Sequence, residues 1–205
     1  MNSGVRSGLK VGVTGGIGSG KTSVCKVFTV LGIPVFSTDR IARDIMDSDK
    51  DIMVKLNLIA GRDLYTNGCL DRMVLATLIF NDNTLLDKVN KLVHPVVFDQ
   101  FTKWEKNQTA EYVIMEAAIL FESGASRLVD KIVTIVAPEE ERLTRVTQRS
   151  KLSRQQVRER MKNQIDDETR IKLSDYVIYN SENDMVIPAI LEIHEDILKN
   201  LKTVN

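Results

Sequence analysis

Leu9, Val11 and Val13 alternate with Lys10 and Gly12 as a short, largely buried strand does, and Lys21 to Leu31 follows with helical spacing. Further apolar runs at Pro34–Ser37, Tyr112–Ala117 and Lys131–Ala137 read as buried strands, and Tyr176–Tyr179 as a fifth. Helical patterns separate most of them. That alternation predicts a three-layer α/β fold on a parallel five-stranded sheet with right-handed crossovers, in which ligands sit at the C-terminal strand ends.

Two excursions interrupt the alternation. The first, about 49–107, is too long for one crossover and carries two apolar stripes. One is Leu70, Val74, Leu75, Leu78 and Ile79; the other is Leu85, Leu86, Val89, Leu92, Val93, Val96 and Val97. Asn67-Gly68 marks a turn before the first stripe, and Pro95 is expected to kink or divide the helix of the second. The second excursion is Arg142–Lys172, where Ser153 and Gln156 have capping-box spacing and predict a helix from Ser153 to about Gln164. Ile187–Leu201 reads as an amphipathic closing helix. The expected organisation is a tail over 1–8 and one domain over 9–205, with a helical insertion at about 49–107 and a lid at about 149–168.

At 205 residues the chain buries a sizeable core without disulfides or metals. Its formal charge of zero argues against broad nucleic-acid or anionic-membrane surfaces, so neither partner is expected, and no obligate protein partner is evident. Positive charge is local: Arg142–Lys172 holds ten Lys or Arg against four Asp or Glu. Cys25 and Cys69 show no metal or redox spacing and read as reduced thiols of a cytoplasmic protein. Residues 1–8 carry no signal-peptide run, and no later segment is apolar enough for a membrane span.

The chemistry starts at Gly15-Gly16-Ile17-Gly18-Ser19-Gly20-Lys21-Thr22, a phosphate-binding loop set between strand and helix in the required order. Its glycines let successive backbone N–H groups face phosphate oxygens at a helix N-terminus. Lys21 reaches the β- and γ-phosphates, and Thr22 offers a hydroxyl to Mg²⁺. Asp39 follows the second strand, where a carboxylate can orient or deprotonate an acceptor hydroxyl, help hold Mg²⁺ through water, or simply favour a helix N-terminus. Glu116 ends the third strand, the place of an acid that meets the metal shell. Glu122 either faces an acceptor or caps a loop. Arg149, Arg154, Arg158 and Arg160 form either a solvated helix or a phosphate-facing lid. Asn163-Gln164-Ile165-Asp166 has the letters of a guanine-reading motif but follows a polar helix instead of a strand. His94 and His194 are too isolated for metal ligation.

Taken together and in order, these pieces resemble the dephospho-coenzyme A kinase family over nearly the whole chain. They are Val13–Lys21, Asp39 with Ile41-Ala42-Arg43, His94-Pro95, Leu120-Phe121-Glu122, Arg149, Arg160 with Gln164, and Asp175–Ile178 followed by Asn180. The resemblance implies transfer of the ATP γ-phosphate to the ribose 3′-hydroxyl of dephospho-coenzyme A, on a P-loop kinase core with a helical acceptor domain and a lid. It implies that Gly16, Ile17, Gly18, Ser19, Gly20, Lys21 and Thr22 hold ATP, with Mg²⁺ on Thr22. Asp39 matches the presumed base and Arg149 the lid arginine. Arg43 and His94 match positions near the acceptor and, with Glu122, Arg160 and Gln164, make up the acceptor-binding set. Two departures are visible. Ala118-Ile119-Leu120 stands where the family usually has Pro-Leu-Leu, and Thr22-Ser23 replaces the commoner Ser-Thr; neither removes a functional group.

Overall fold

The computed structural model describes residues 8–150 and 152–203; Gly8 apart, the expected tail lies outside the described residues. In chain order the elements are β1 (Leu9–Gly15), α1 (Lys21–Val30), β2 (Val35–Ser37), α2 (Thr38–Ser48), α3 (Lys50–Ala60), β3 (Tyr65–Thr66), β4 (Cys69–Leu70) and α4 (Arg72–Asn81). They continue with α5 (Asn83–Glu105), β5 (Tyr112–Glu116), β6 (Lys131–Val136), α6 (Glu139–Arg149), α7 (Arg154–Lys162), α8 (Asp167–Lys172), β7 (Tyr176–Tyr179) and α9 (Val186–Thr203). Thr38–Lys103 forms one compact unit, and the residues before and after it in sequence form the other.

The larger unit is a three-layer α/β fold. Its five strands are all parallel in the order β2-β5-β1-β6-β7. Each falls on an apolar run, because a parallel strand covered on both faces reads as continuous Val and Ile in place of alternation. Val11, Val13, Ile114, Val133 and Ile135 are fully buried, and Phe28 of α1 packs with Ile190, Ile193 and Ile197 of α9 in the same cluster. The N-terminal strand ends are pinned by carboxylates. Asp130 accepts from the Lys10 N–H at 2.8 Å, and Asp175 takes both the Lys131 ammonium at 2.7 Å and the Ile132 N–H at 2.8 Å. The C-terminal ends are therefore the edge left for a ligand, as the topology requires.

The unit Thr38–Lys103 is helical apart from a short hairpin. Asn67 and Gly68 both take positive φ, 52° and 78°, which is the two-residue turn that pairs Tyr65 with Leu70 and Thr66 with Cys69. Leu70 thus belongs to β4 and not to the helical stripe the sequence pattern assigned it to. The helix starts two residues later at Arg72, capped by Asp71, which accepts from the N–H groups of Met73 and Val74 at 3.1 and 3.0 Å. Pro95 does not divide its helix either: α5 is continuous from Asn83 to Glu105. Pro95 and Lys91 are both exposed, so the Lys91 carbonyl that loses its helical donor faces water. Leu85, Val89, Val93, Val97 and Phe101 form the buried stripe of this helix. No helix among the described residues is long and apolar enough to cross a membrane.

Candidate active site

The glycine loop leaves β1 and enters α1 through Gly20, whose φ of 99° few side chains tolerate. Other elements of the larger unit brace it. Asn180, just past β7, donates from Nδ2 to the Ser19 carbonyl at 2.7 Å and occupies the space a Cβ on Gly20 would need. Gln164, just past α7, accepts the Ile17 N–H on Oε1 at 2.8 Å and donates from Nε2 to the Ala118 carbonyl at 2.9 Å. The next residue repeats the attachment, the Ile165 N–H donating to Glu122 Oε1 at 3.0 Å. A Cβ on Gly18 would meet the backbone of Arg142 and the side chain of Val146 in α6.

Lys21 folds back over the loop, its ammonium donating to the carbonyls of Gly15 at 2.8 Å and Gly16 at 3.3 Å. Thr22 donates its hydroxyl to Glu116 Oε1 at 2.8 Å. Glu116 is registered opposite both Val13 and Ser37, so its carboxylate stands at the C-terminal edge of the sheet beside the loop. The convergence of a hydroxyl and a carboxylate suits a hard cation with oxygen ligands. Among the described residues no group of three His, Cys, Asp or Glu side chains is placed to hold a metal ion. A cation here would draw its remaining ligands from phosphate and water. Burial, and next the charge of Glu116, push the Cys25 thiol far above its ordinary range against a smaller pull from Lys21, so it remains a protonated core side chain.

An open cleft of about 570 Å³ extends from Arg142 and Asp167 to Ala137, Pro138, Tyr179 and Ser181, beyond the ends of β6 and β7. A second, of about 380 Å³, is lined by Arg142, Arg158, Gln164 and Asp167. The helix predicted from the capping box is present: Ser153 Oγ accepts the Gln156 N–H at 3.2 Å, and Gln156 Oε1 accepts the Ser153 N–H at 2.8 Å. Of the four arginines, Arg154 and Arg158 are paired with Glu139 and Glu140 of α6. Arg149 and Arg160 are exposed and make no ion pair among the described residues. Asn163–Asp166 spans the end of α7 and the cap of α8, not a strand end, so it is no base-reading motif.

The structure thus gathers Gly16–Thr22, Glu116, Glu122 and Gln164 at one edge of the sheet. Gln164, grouped by resemblance with the acceptor, spends its whole amide on the loop and on Ala118. Of the remaining candidates, Arg149 and Arg160 lie in the larger unit and Asp39, Arg43 and His94 in the helical one. Asp39 is exposed in the first turn of α2, two residues beyond Ser37 in the chain, and Arg43 is exposed on the same helix. His94 lies half-buried on α5 against Phe98, ring centroids 5.9 Å apart, and burial lowers its pKa. Sequence reasoning gave no role to Asn180 and none to Arg142 and Asp167. For Asn180 the signal was its place at a strand end; for the other two there was none.

The family model of dephospho-CoA kinase matches residues 9–185. The chain belongs to the dephospho-CoA kinase family. It is accordingly an ATP-dependent kinase. A dephospho-CoA kinase of Bacteroides fragilis is 36% identical over 186 residues, covering 90% of this chain and 91% of the relative. One from Porphyromonas gingivalis is 35% identical over 190 residues, covering 92% and 94%. Among solved structures, a Thermus thermophilus protein matches with a TM-score of 0.80 at 30% identity, over 95% of this chain and 98% of that one. The dephospho-CoA kinase of Campylobacter jejuni matches with a TM-score of 0.67 at 27% identity, over 93% and 98%. A shikimate kinase of Acinetobacter baumannii, at 16% identity and a TM-score of 0.52, shares the fold.

Proposed function

We propose that this kinase transfers the γ-phosphoryl group of ATP to the ribose 3′-hydroxyl of dephospho-coenzyme A, giving coenzyme A and ADP. One observation carries the reading. The family match runs through the helical insertion and the basic arm as well as the nucleotide loop, so it includes the parts that differ between kinases of different acceptors.

In this reading the N–H groups of Gly16–Thr22 hold the β- and γ-phosphates, and Lys21 exchanges its loop carbonyls for phosphate oxygens. The cleft at Pro138 and Tyr179 takes the nucleoside. Asp39 orients the acceptor hydroxyl and receives its proton as the ribose oxygen bonds to the γ-phosphorus and the bond to the β–γ bridging oxygen breaks. Lys21 and Arg149 stabilise the charge on the group in transit while the arm about 149–168 excludes water. Arg43, His94, Glu122 and Arg160 serve the acceptor, with the helical insertion about 49–107 as its domain. Thr22 would be the protein ligand of Mg²⁺, with Glu116 and Asp39 helping to hold it through water, and the ion would supply neutralisation of the phosphate charge. Two free thiols suit the cytoplasm as the compartment.

The test is a coupled assay with ATP, Mg²⁺ and dephospho-coenzyme A in which the phosphorylated position of the product is identified. A 3′-phosphate is expected, and a 2′-phosphate or no product removes the substrate assignment. Asp39→Asn is expected to lower kcat by about 10²–10⁴ with ATP binding kept. Near-normal turnover removes Asp39 from the mechanism.

A further inference from the structure

Asp167 serves two guanidinium groups at once. Its Oδ1 pairs closely with Arg170, a side chain only 1% exposed that also donates from Nη2 to the Ile165 carbonyl at 2.8 Å. Its Oδ2 is left with Arg142, whose Nη1 stands 3.5 Å away, too far for a good hydrogen bond. Arg142 is 12% exposed, makes no other ion pair among the described residues, and buries its Nε without a partner. The other carboxylates lining the two clefts bond elsewhere and form no ion pair with Arg142: Glu139 accepts from Arg158 Nε at 3.2 Å, Asp166 from the Thr169 N–H at 2.7 Å, and Asp184 from the Ser181 N–H at 2.6 Å. Asp167 gives its close pairing to Arg170, so Arg142 is left with one long contact and an unpartnered Nε, a guanidinium whose donors an arriving anion can fill.

The place is adjacent to the loop. Arg142 Nη1 fills the space that a Cβ on Gly16 would occupy, and Asp167 Oδ1 lies 3.7 Å from that same point. The φ of Gly16 is not positive, so the approaching guanidinium, not backbone conformation, is what a side chain here would disturb. Arg142 also lines both clefts. We infer that Arg142 is a phosphate ligand of the bound nucleotide, turning its guanidinium fork from Asp167 to the phosphate chain as ATP fills the loop, while Asp167 stays with Arg170. This role rests on the kinase reading above and adds to it a cation that comes from α6. A planar five-donor fork matches phosphate oxygens in pairs, which a lysine at the same position could not do.

The test is calorimetric titration of ATP, ADP and adenosine, each with Mg²⁺, into the wild-type protein, Arg142→Gln and Arg142→Lys. Arg142→Gln is expected to weaken ATP and ADP by about ten- to a hundredfold and adenosine by less than about threefold. Arg142→Lys, which keeps the charge and loses the fork, recovers part of the difference and serves if the Gln variant does not fold. Gly16→Ala, which displaces the guanidinium, weakens ATP in the wild-type background and costs less on top of Arg142→Gln, because both changes act on one contact. Equal losses for adenosine and ATP, or no loss for either, overturn the assignment and leave Arg142 a packing residue. A wild-type protein that binds ATP yet phosphorylates no dephospho-coenzyme A defeats the kinase reading instead, and the titrations still judge Arg142 alone.

Discussion

The glycine loop and the basic arm that follows it in the larger unit both present cations and N–H groups suited to phosphate, but they are held in opposite ways. In the loop four residues have a brace: Ile17 on Gln164, Ser19 on Asn180, Lys21 on the loop carbonyls, Thr22 on Glu116. In the arm α7 is tied to α6 by the pairs of Arg154 and Arg158 with Glu139 and Glu140, and the segment after it is fixed at Gln164 and Ile165, while Arg149 and Arg160 stand exposed. The loop must present its donors before ATP arrives, since reorganising them during the reaction would forfeit their stabilisation. In the proposed reading the arm covers ATP once it is bound, and Arg149 and Arg160, which make no ion pair among the described residues, are the cations it would bring.

The largest effect expected from breaking this contrast is at the braced side. Lys21→Ala removes the one ammonium the loop carries for the phosphates and is expected to lower kcat/KM by roughly 10²–10³, with the denaturation midpoint little changed. An equal loss of fold would mean that Lys21 serves the loop and not the phosphate. Next comes the junction between the two regions. Gln164→Glu keeps an acceptor for the Ile17 N–H and loses the donor to the Ala118 carbonyl, leaving carboxylate against carbonyl at a cost of about 1–3 kcal/mol. The deficit has a pH signature. The introduced carboxyl can donate to Ala118 only when protonated, so its folded-state pKa is raised. Its stabilising contribution is full below the unfolded value of about 4.3 and is lost as pH rises through the folded value. Urea denaturation at several pH values checks this; a deficit independent of pH would show that the Ala118 contact contributes nothing.

How much of this was legible in the sequence follows the same division. The sheet and loop were readable because buried parallel strands are continuous apolar runs and the loop's residue types are imposed by phosphate over eight consecutive positions. The helix at Ser153 was readable because its caps lie within four residues. Leu70 was misplaced because strands as short as β3 and β4 have no periodicity, and their evidence is two positive φ values at Asn67 and Gly68. Pro95 does not divide α5, because proline's cost depends on whether the orphaned carbonyl meets water, an exposure no local pattern encodes. Asn180 reaches Ser19 across 161 residues and Gln164 reaches Ile17 across 147, contacts that only the completed sheet creates. Arg142 sits in a helix crowded with charges, where nothing local separates a guanidinium over Gly16 from one in solvent.

On the arm's side the expected effects are smaller and fall on rate instead of fold. Arg149 is exposed at the end of α6, so Arg149→Ala is expected to lower kcat about 10- to 100-fold while moving stability by less than about 0.5 kcal/mol. A wild-type kcat would leave the outer arm without a part in transfer. A large drop in stability would mean that the arm is braced after all.

The smallest change separates the arm's internal order from its attachment. Ser153→Ala removes the side-chain half of the capping box, whose Oγ accepts the Gln156 N–H at 3.2 Å, and is expected to cost α7 about 1 kcal/mol. That loss is local, readable as faster amide hydrogen exchange in the first turn of α7. If the arm works by carrying Arg149 over the phosphates from a root at Gln164, fraying the start of α7 leaves both ends of that lever intact. Turnover should then stay within about twofold of wild type, since a surface cap lost away from the reacting atoms has no transition-state interaction to remove. A fall in kcat as large as that of Arg149→Ala would reverse the contrast, because α7 would then have to be as preorganised as the glycine loop for transfer to proceed.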